Sequence, residues 1–379
     1  MTPSPARPPW LLTDAGIACS ALPGIVALLG AGILLGSPRS GAVAAGGAFT
    51  LAFAAFKQVR NSRALTMLLA AAGICVATVV GTLASQSDVT MVAAVLVSGL
   101  AAGLLPEVAA DLGWVGQQAT IFLMVAGNYP GGLRPAAARA GLLLAGGAVQ
   151  FVIIQGLRAL ARPVPRPPAW PALVESARAA GATLAHAVRT RSVTFHRAVR
   201  LAVVLAAAVE TWRRLHLPNG YWMAMTALLL VRPNLRGTFG RAAQRVAGTV
   251  IGAALATLLT TVLPRVTAHP SSHWVSAELT AVFALLSLAL LPGNQVGPRK
   301  VSYAGDYVVF AACLTAYVVY LLHYGGLDER EVAMVRVLLT ALGGVFALAV
   351  HLPFDRLPRF DRARAARRAT VGSTEARSV

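Results

Sequence analysis

Apolar residues run along this chain in long blocks, and polar positions are largely confined to the short stretches between them. Twelve blocks stand out, at 16–36, 41–56, 64–84, 89–105, 109–127, 137–160, 198–216, 219–232, 245–263, 273–292, 303–323 and 333–352. Most approach the roughly 20 residues that a helix needs to cross a hydrocarbon layer of ~30 Å. Lipid tolerates only backbone that satisfies its own hydrogen bonds, so the pattern predicts an all-α integral membrane protein of about twelve transmembrane helices. The second and eighth blocks are short for a perpendicular crossing, which leaves either strong tilt or half-helices, and in the latter case about ten full crossings.

Composition agrees. The chain has 379 residues, 56% hydrophobic and only 12% charged, about half the charge of a soluble domain. A net charge of +19 would suit nucleic acid if it were gathered on one face, but the cations sit in connectors and in the final 25 residues, so no nucleic-acid partner is expected. The lipid bilayer is the expected environment, in the plasma membrane. Cationic residues concentrate on the cytoplasmic side of membrane proteins. With the amino end inside, 25 of the 33 basic residues fall there, in Arg7, the 57–63, 158–200 and 232–245 segments, Arg299, Lys300 and the tail. Both termini are therefore expected in the cytoplasm. Met1–Asp14 lacks the apolar stretch of a cleaved signal, so the first block is expected to stay as an anchor.

The linker at 161–197 opens with Pro163, Pro165, Pro167, Pro168 and Pro171, a stiff extended start, and continues as a short surface helix at Leu173–Val188. It divides the chain into a six-helix repeat at 1–160 and another at 198–354, followed by a basic tail at 355–379. The halves echo each other. Gly73, Ala77, Thr78 and Thr82 recur 179 residues later as Gly252, Ala256, Thr257 and Thr261, and Arg139, Gly146 and Gly147 recur 197 residues later as Arg336, Gly343 and Gly344. Leu-Leu-Pro closes a helix in each half, and Asp111 and Asp306 each open one. Repeats with an even number of helices enter from the same side, so they are expected to be parallel, related by an axis along the membrane normal, with a cavity at their interface.

The stretch 217–263 holds Pro218, Asn219, Gly220, Tyr221, Trp222, Thr226, Arg232, Pro233, Thr238, Arg241, Arg245, Gly248, Thr249 and Gly252. This ordered set resembles the fusaric acid resistance (FUSC) and aromatic acid exporter family: a Gly-Tyr-Trp helix, a Pro, an Arg-x-x-x-Arg loop and a Gly-Thr-x-x-Gly helix. Here it comes in a short form without a large cytoplasmic domain. The resemblance implies export of small organic, foremost aromatic, carboxylic acids. No nucleotide-binding loop occurs, so the proton motive force is the expected driver. A passive organic-anion channel and a non-transporting membrane scaffold are the alternatives, and self-association into a homo-oligomer is left open. No nucleophile–base set or metal cluster points to an enzyme, and no cofactor is expected.

Each candidate residue has a structural alternative. Arg241 and Arg245 share a helix face and with Arg232 would gather carboxylates at an inner mouth, or would bind anionic headgroups. Tyr221 and Trp222 would stack on an aromatic solute, or belong to an interfacial aromatic belt. Arg139 and Arg336 would form a symmetric anion gate, or snorkel to headgroups. Glu210 is a membrane carboxyl and so a candidate proton site, but Arg213 and Arg214 follow at i+3 and i+4 and offer it a local ion pair. Asp111 and Asp306 would couple protons, or cap their own helices.

Overall fold

The computed structural model describes residues 14–161, 170–231, 235–267, 273–290, 304–326 and 328–349. Among them the chain is helical, as the apolar blocks require. The order is α1 (Asp14–Leu34), α2 (Pro38–Ala54), α3 (Arg63–Ala84), α4 (Asp88–Leu104), α5 (Ala110–Ala126), α6 (Leu133–Ala161), α7 (Trp170–Arg189), α8 (Val193–Arg214), α9 (Tyr221–Leu230), α10 (Leu235–Thr267), α11 (His273–Ala289), α12 (Ala304–His323) and α13 (Glu329–Ala349). Local chemistry sets several starts. Pro38 begins α2, where its missing N–H costs nothing. The Ser62 and Ser192 hydroxyls accept from Leu65 N and Phe195 N at 3.1 Å, capping α3 and α8.

Each of the twelve apolar blocks forms a helix, and α7 is the surface helix expected in the linker. Six helices among the described residues are long and apolar enough to cross a membrane, or up to seven if α7 and α8, bent by 84° at their junction, count as one span. The short second and eighth blocks are short helices, of 17 and 10 residues. The largest departure is α10. It begins at Leu235, ten residues before the predicted span, and runs for 33 residues, so what was expected to be a basic loop is helical. No proline falls in 235–245, where Gly237 and Gly240 are tolerated within the helix, and at 1.5 Å per residue the early start places Arg245 about 15 Å along it.

The helix pairings repeat in chain order. In the first set α1 packs on α2, α2 on α6, α3 on both α5 and α6, and α4 on α5. In the second, α8 packs on α9, α9 on α13, α10 on both α12 and α13, and α11 on α12. The sets meet where α4 packs on α8 and α1 on α11. One core of buried apolar side chains draws on both sets.

Where lipid removes most of the hydrophobic drive between helices, close backbone approach at small residues takes its place. A Cβ on Gly146 would lie 1.8 Å from the Ala44 carbonyl oxygen, and one on Gly343 would lie 2.5 Å from that of Met223. Ala44 and Met223 are themselves 179 residues apart, so the sequence echo reappears as a matched backbone contact.

Candidate functional site

The Pro218-Asn219-Gly220 turn joins α8 to α9. Asn219 takes a left-handed conformation (φ 53°), which Asn tolerates better than most residues. Gly220 is required for a different reason: a Cβ there would fall 2.0 Å from the Trp212 ring. The turn starts α9 with Tyr221 and Trp222 directed into the bundle, 3% and 1% exposed. Their rings meet edge-on with centroids 5.4 Å apart, and Tyr221 also meets Trp212 at 6.3 Å. The expected interfacial belt is therefore corrected, because both rings are enclosed by protein.

The close contact at Gly343 brings α13 against α9 and sets the Arg336 guanidinium 5.1 Å from the Trp222 ring centroid. Arg336 is 2% exposed, and its Nε and Nη1 have no hydrogen-bond partner among the described residues. Arg245, on α10, is also 2% exposed with its Nε unpartnered, and the two guanidiniums are near enough to act on each other electrostatically. No carboxylate among the described residues forms an ion pair with either. The snorkelling expected of Arg336 and the solvated mouth expected of Arg245 give way to two buried guanidiniums within electrostatic range of each other, that of Arg336 beside the Trp222 indole. The face of Trp222 offers a cation roughly 2 kcal/mol when desolvated, but it neutralises no charge. An anion hydrogen-bonded to both arginines would do so.

The remaining candidates fall elsewhere. The Arg241 guanidinium lies 3.3 Å over the Tyr307 ring. Arg139, the sequence counterpart of Arg336, donates from Nη1 to the Tyr129 carbonyl at 2.6 Å and to Thr82 Oγ1 at 3.3 Å, so the symmetric gate does not form. Asp111 does not cap its own helix. Its Oδ2 accepts from the Gln58 backbone N–H at 2.9 Å and its Oδ1 faces Lys57 Nζ at 3.8 Å, tying the α2–α3 connection to α5. Arg232 and the side chain of Asp306 lie outside the described residues.

Glu210 pairs with Arg214, one turn on, while Arg213 binds Asp88 at 2.6 Å and the Ser85 carbonyl at 2.9 Å. The local ion pair, rather than an isolated acid, is what the helix builds. Glu210→Gln is expected to leave transport and its response to a pH gradient unchanged, with a stability cost below about 1 kcal/mol for a partly exposed pair. A vesicle flux assay with imposed pH gradients checks this, and loss of the gradient response would restore Glu210 as a proton site.

The residues of this site are all candidates in the sequence, but nothing in their spacing brings Arg245 and Arg336 together. The one available signal was the absence of proline between Leu235 and Arg245.

The fusaric acid resistance protein-like family model matches residues 201–350. Among curated proteins, the uncharacterized protein ORF2 of Neisseria gonorrhoeae is 45% identical over 58 residues, which is 15% of this chain and 14% of that relative's length. No solved structure matches. The matched stretch holds Tyr221, Trp222, Arg245 and Arg336 as well as the Gly-Thr-x-x-Gly helix. Over residues 201–350 this multi-pass membrane protein is thus similar to the fusaric acid resistance protein-like family.

Proposed function

We propose that the chain is a plasma-membrane transporter that exports small organic carboxylates, aromatic ones foremost, with the proton motive force as its driver. The family suggests membrane transport or efflux. The observation that carries the substrate class is the buried pair Arg245 and Arg336, whose unpartnered donors sit beside Trp222. An unpaired buried charge is costly in a bundle, and a carboxylate supplies both the counter-charge and the acceptors. Tyr221 and Trp222 give the ring of an aromatic acid an apolar wall. In this reading residues 1–160 and 198–354 are two six-helix repeats, and both chain ends face the cytoplasm.

The passive channel remains the second reading. It is favoured by the fact that Glu210 and Asp111, two of the three candidate proton sites, are held by Arg214 and by Lys57 and Gln58. One experiment separates the two. Purified protein in vesicles loaded with labelled benzoate is expected to drive outward flux against the benzoate gradient when a pH gradient is imposed. Flux that only runs downhill and follows voltage would make it a channel, and absence of flux under both conditions would leave the scaffold.

A further inference from the structure

We infer that the seam between α2 and α12 is a second subsite, one that accepts a flat aromatic ring; this rests on the carboxylate reading above. α2 belongs to the first half and α12 to the second, and their backbones stay apart while rings fill the gap. Phe49 stacks on Tyr317 with centroids 4.1 Å apart and an interplanar angle of 27°. Phe49 meets Phe53 edge-on at 4.8 Å, Phe53 meets Phe310 at 6.4 Å, and Phe310 stacks with Tyr307 at 5.9 Å. The row ends at Arg241, whose guanidinium covers Tyr307. Arg241 is one turn of α10 from Arg245, so the aromatic row leads up to the buried arginine pair.

Two features mark the row as more than packing. Tyr317 is 2% exposed and its hydroxyl has no hydrogen-bond partner among the described residues. Further along the same helix, Tyr320 donates to the Ala256 carbonyl and, just beyond it, Tyr324 donates to that of His273, both at 2.9 Å. Tyr320 and Tyr324 thus have their hydroxyls satisfied by backbone, and Tyr317 keeps a buried hydroxyl to offer. The second feature is the kind of contact. Helix pairs joined through glycine interlock backbone against backbone, as at Gly146, whereas across this seam Phe49 stacks on Tyr317 and Phe53 meets Phe310 edge-on. A solute ring entering between them exchanges one stacked contact for two of the same kind, with no backbone hydrogen bond broken. The Tyr317 hydroxyl then serves a polar substituent on that ring.

The test is uptake of three labelled probes into vesicles: benzoate, cyclohexanecarboxylate and 4-hydroxybenzoate. The unsubstituted protein is expected to favour benzoate over cyclohexanecarboxylate. Phe49→Leu combined with Phe53→Leu is expected to erase that preference, a change of roughly five- to tenfold for the loss of ring stacking. Tyr317→Phe keeps the ring and its packing, so it decides the matter if the double variant does not fold. It is expected to lower 4-hydroxybenzoate uptake relative to benzoate roughly fivefold, the worth of one neutral hydrogen bond, while thermal stability holds or rises. Intact flux with unchanged probe ratios in both variants overturns the subsite and spares the carboxylate reading. No flux of any probe in the unsubstituted protein sinks both.

Discussion

Arg336→Met is expected to abolish the proposed carboxylate transport and at the same time to make the protein harder to unfold. The two effects have one cause. Arg336 is buried with two unpartnered donors, and a cation deep in a membrane bundle costs about 2.5–3.5 kcal/mol on insertion scales. Met fills much of the same volume beside Trp222 without the charge, so a gain of roughly 2 kcal/mol in stability is expected. The solute loses two charge-assisted hydrogen bonds at about 1.5–3 kcal/mol each, which amounts to a fall in uptake of roughly 100-fold or more. Arg139→Met is the control. It removes bonds to the Tyr129 carbonyl and Thr82, so stability falls by about 1–2 kcal/mol and transport by the remaining folded protein persists. Thermal unfolding and vesicle flux on the same preparations check both variants. A destabilised Arg336→Met protein that still transports would show that Arg336 is a packing residue like its counterpart.

The second large effect lies at the glycines. Gly146→Ala puts a methyl 1.8 Å from the Ala44 carbonyl oxygen, and Gly343→Ala puts one 2.5 Å from that of Met223. Both demand a shift of backbone rather than of a side chain, so each is expected to destabilise by about 1–3 kcal/mol or more. Their functional consequences differ. Gly343 lies two turns from Arg336 on α13, and pushing α13 off α9 opens the 5.1 Å contact with Trp222. Transport should fall beyond what the loss of folded protein explains for Gly343→Ala, and in proportion to it for Gly146→Ala. Equal specific activity in the two variants would contradict that difference.

The helical class, the linker helix and the shortness of α2 and α9 were legible in the sequence because hydropathy directly reports which backbone is withdrawn from water. The echo between halves was legible as well, and it reappears in the Gly146–Ala44 and Gly343–Met223 contacts. What could not be read was depth. Arg241 and Arg245 look like a loop from charge alone, because charge density marks a connector unless the cations are turned inward, and only the packing of α10 against α13 shows that Arg245 is. The matched positions of Arg139 and Arg336 suggested equal roles for the same reason. Their difference rests on long-range neighbours, Tyr129 and Thr82 for one and Trp222 and Arg245 for the other. The Phe49–Tyr317 stack had no signal, since aromatic residues in an apolar helix are unremarkable until a distant helix supplies the facing ring.

Arg139 is bonded through Nη1 within its own lobe while Arg336 keeps two unpartnered donors, and in the proposed reading this has a consequence for stoichiometry. Although the helix pairings of the chain come in duplicate, the anion site proposed at Arg245 and Arg336 comes once. Occupancy would then saturate at a single solute per polypeptide, with no cooperativity arising inside it. The lobe relieved of cargo could instead act as a fixed abutment against which the loaded lobe moves.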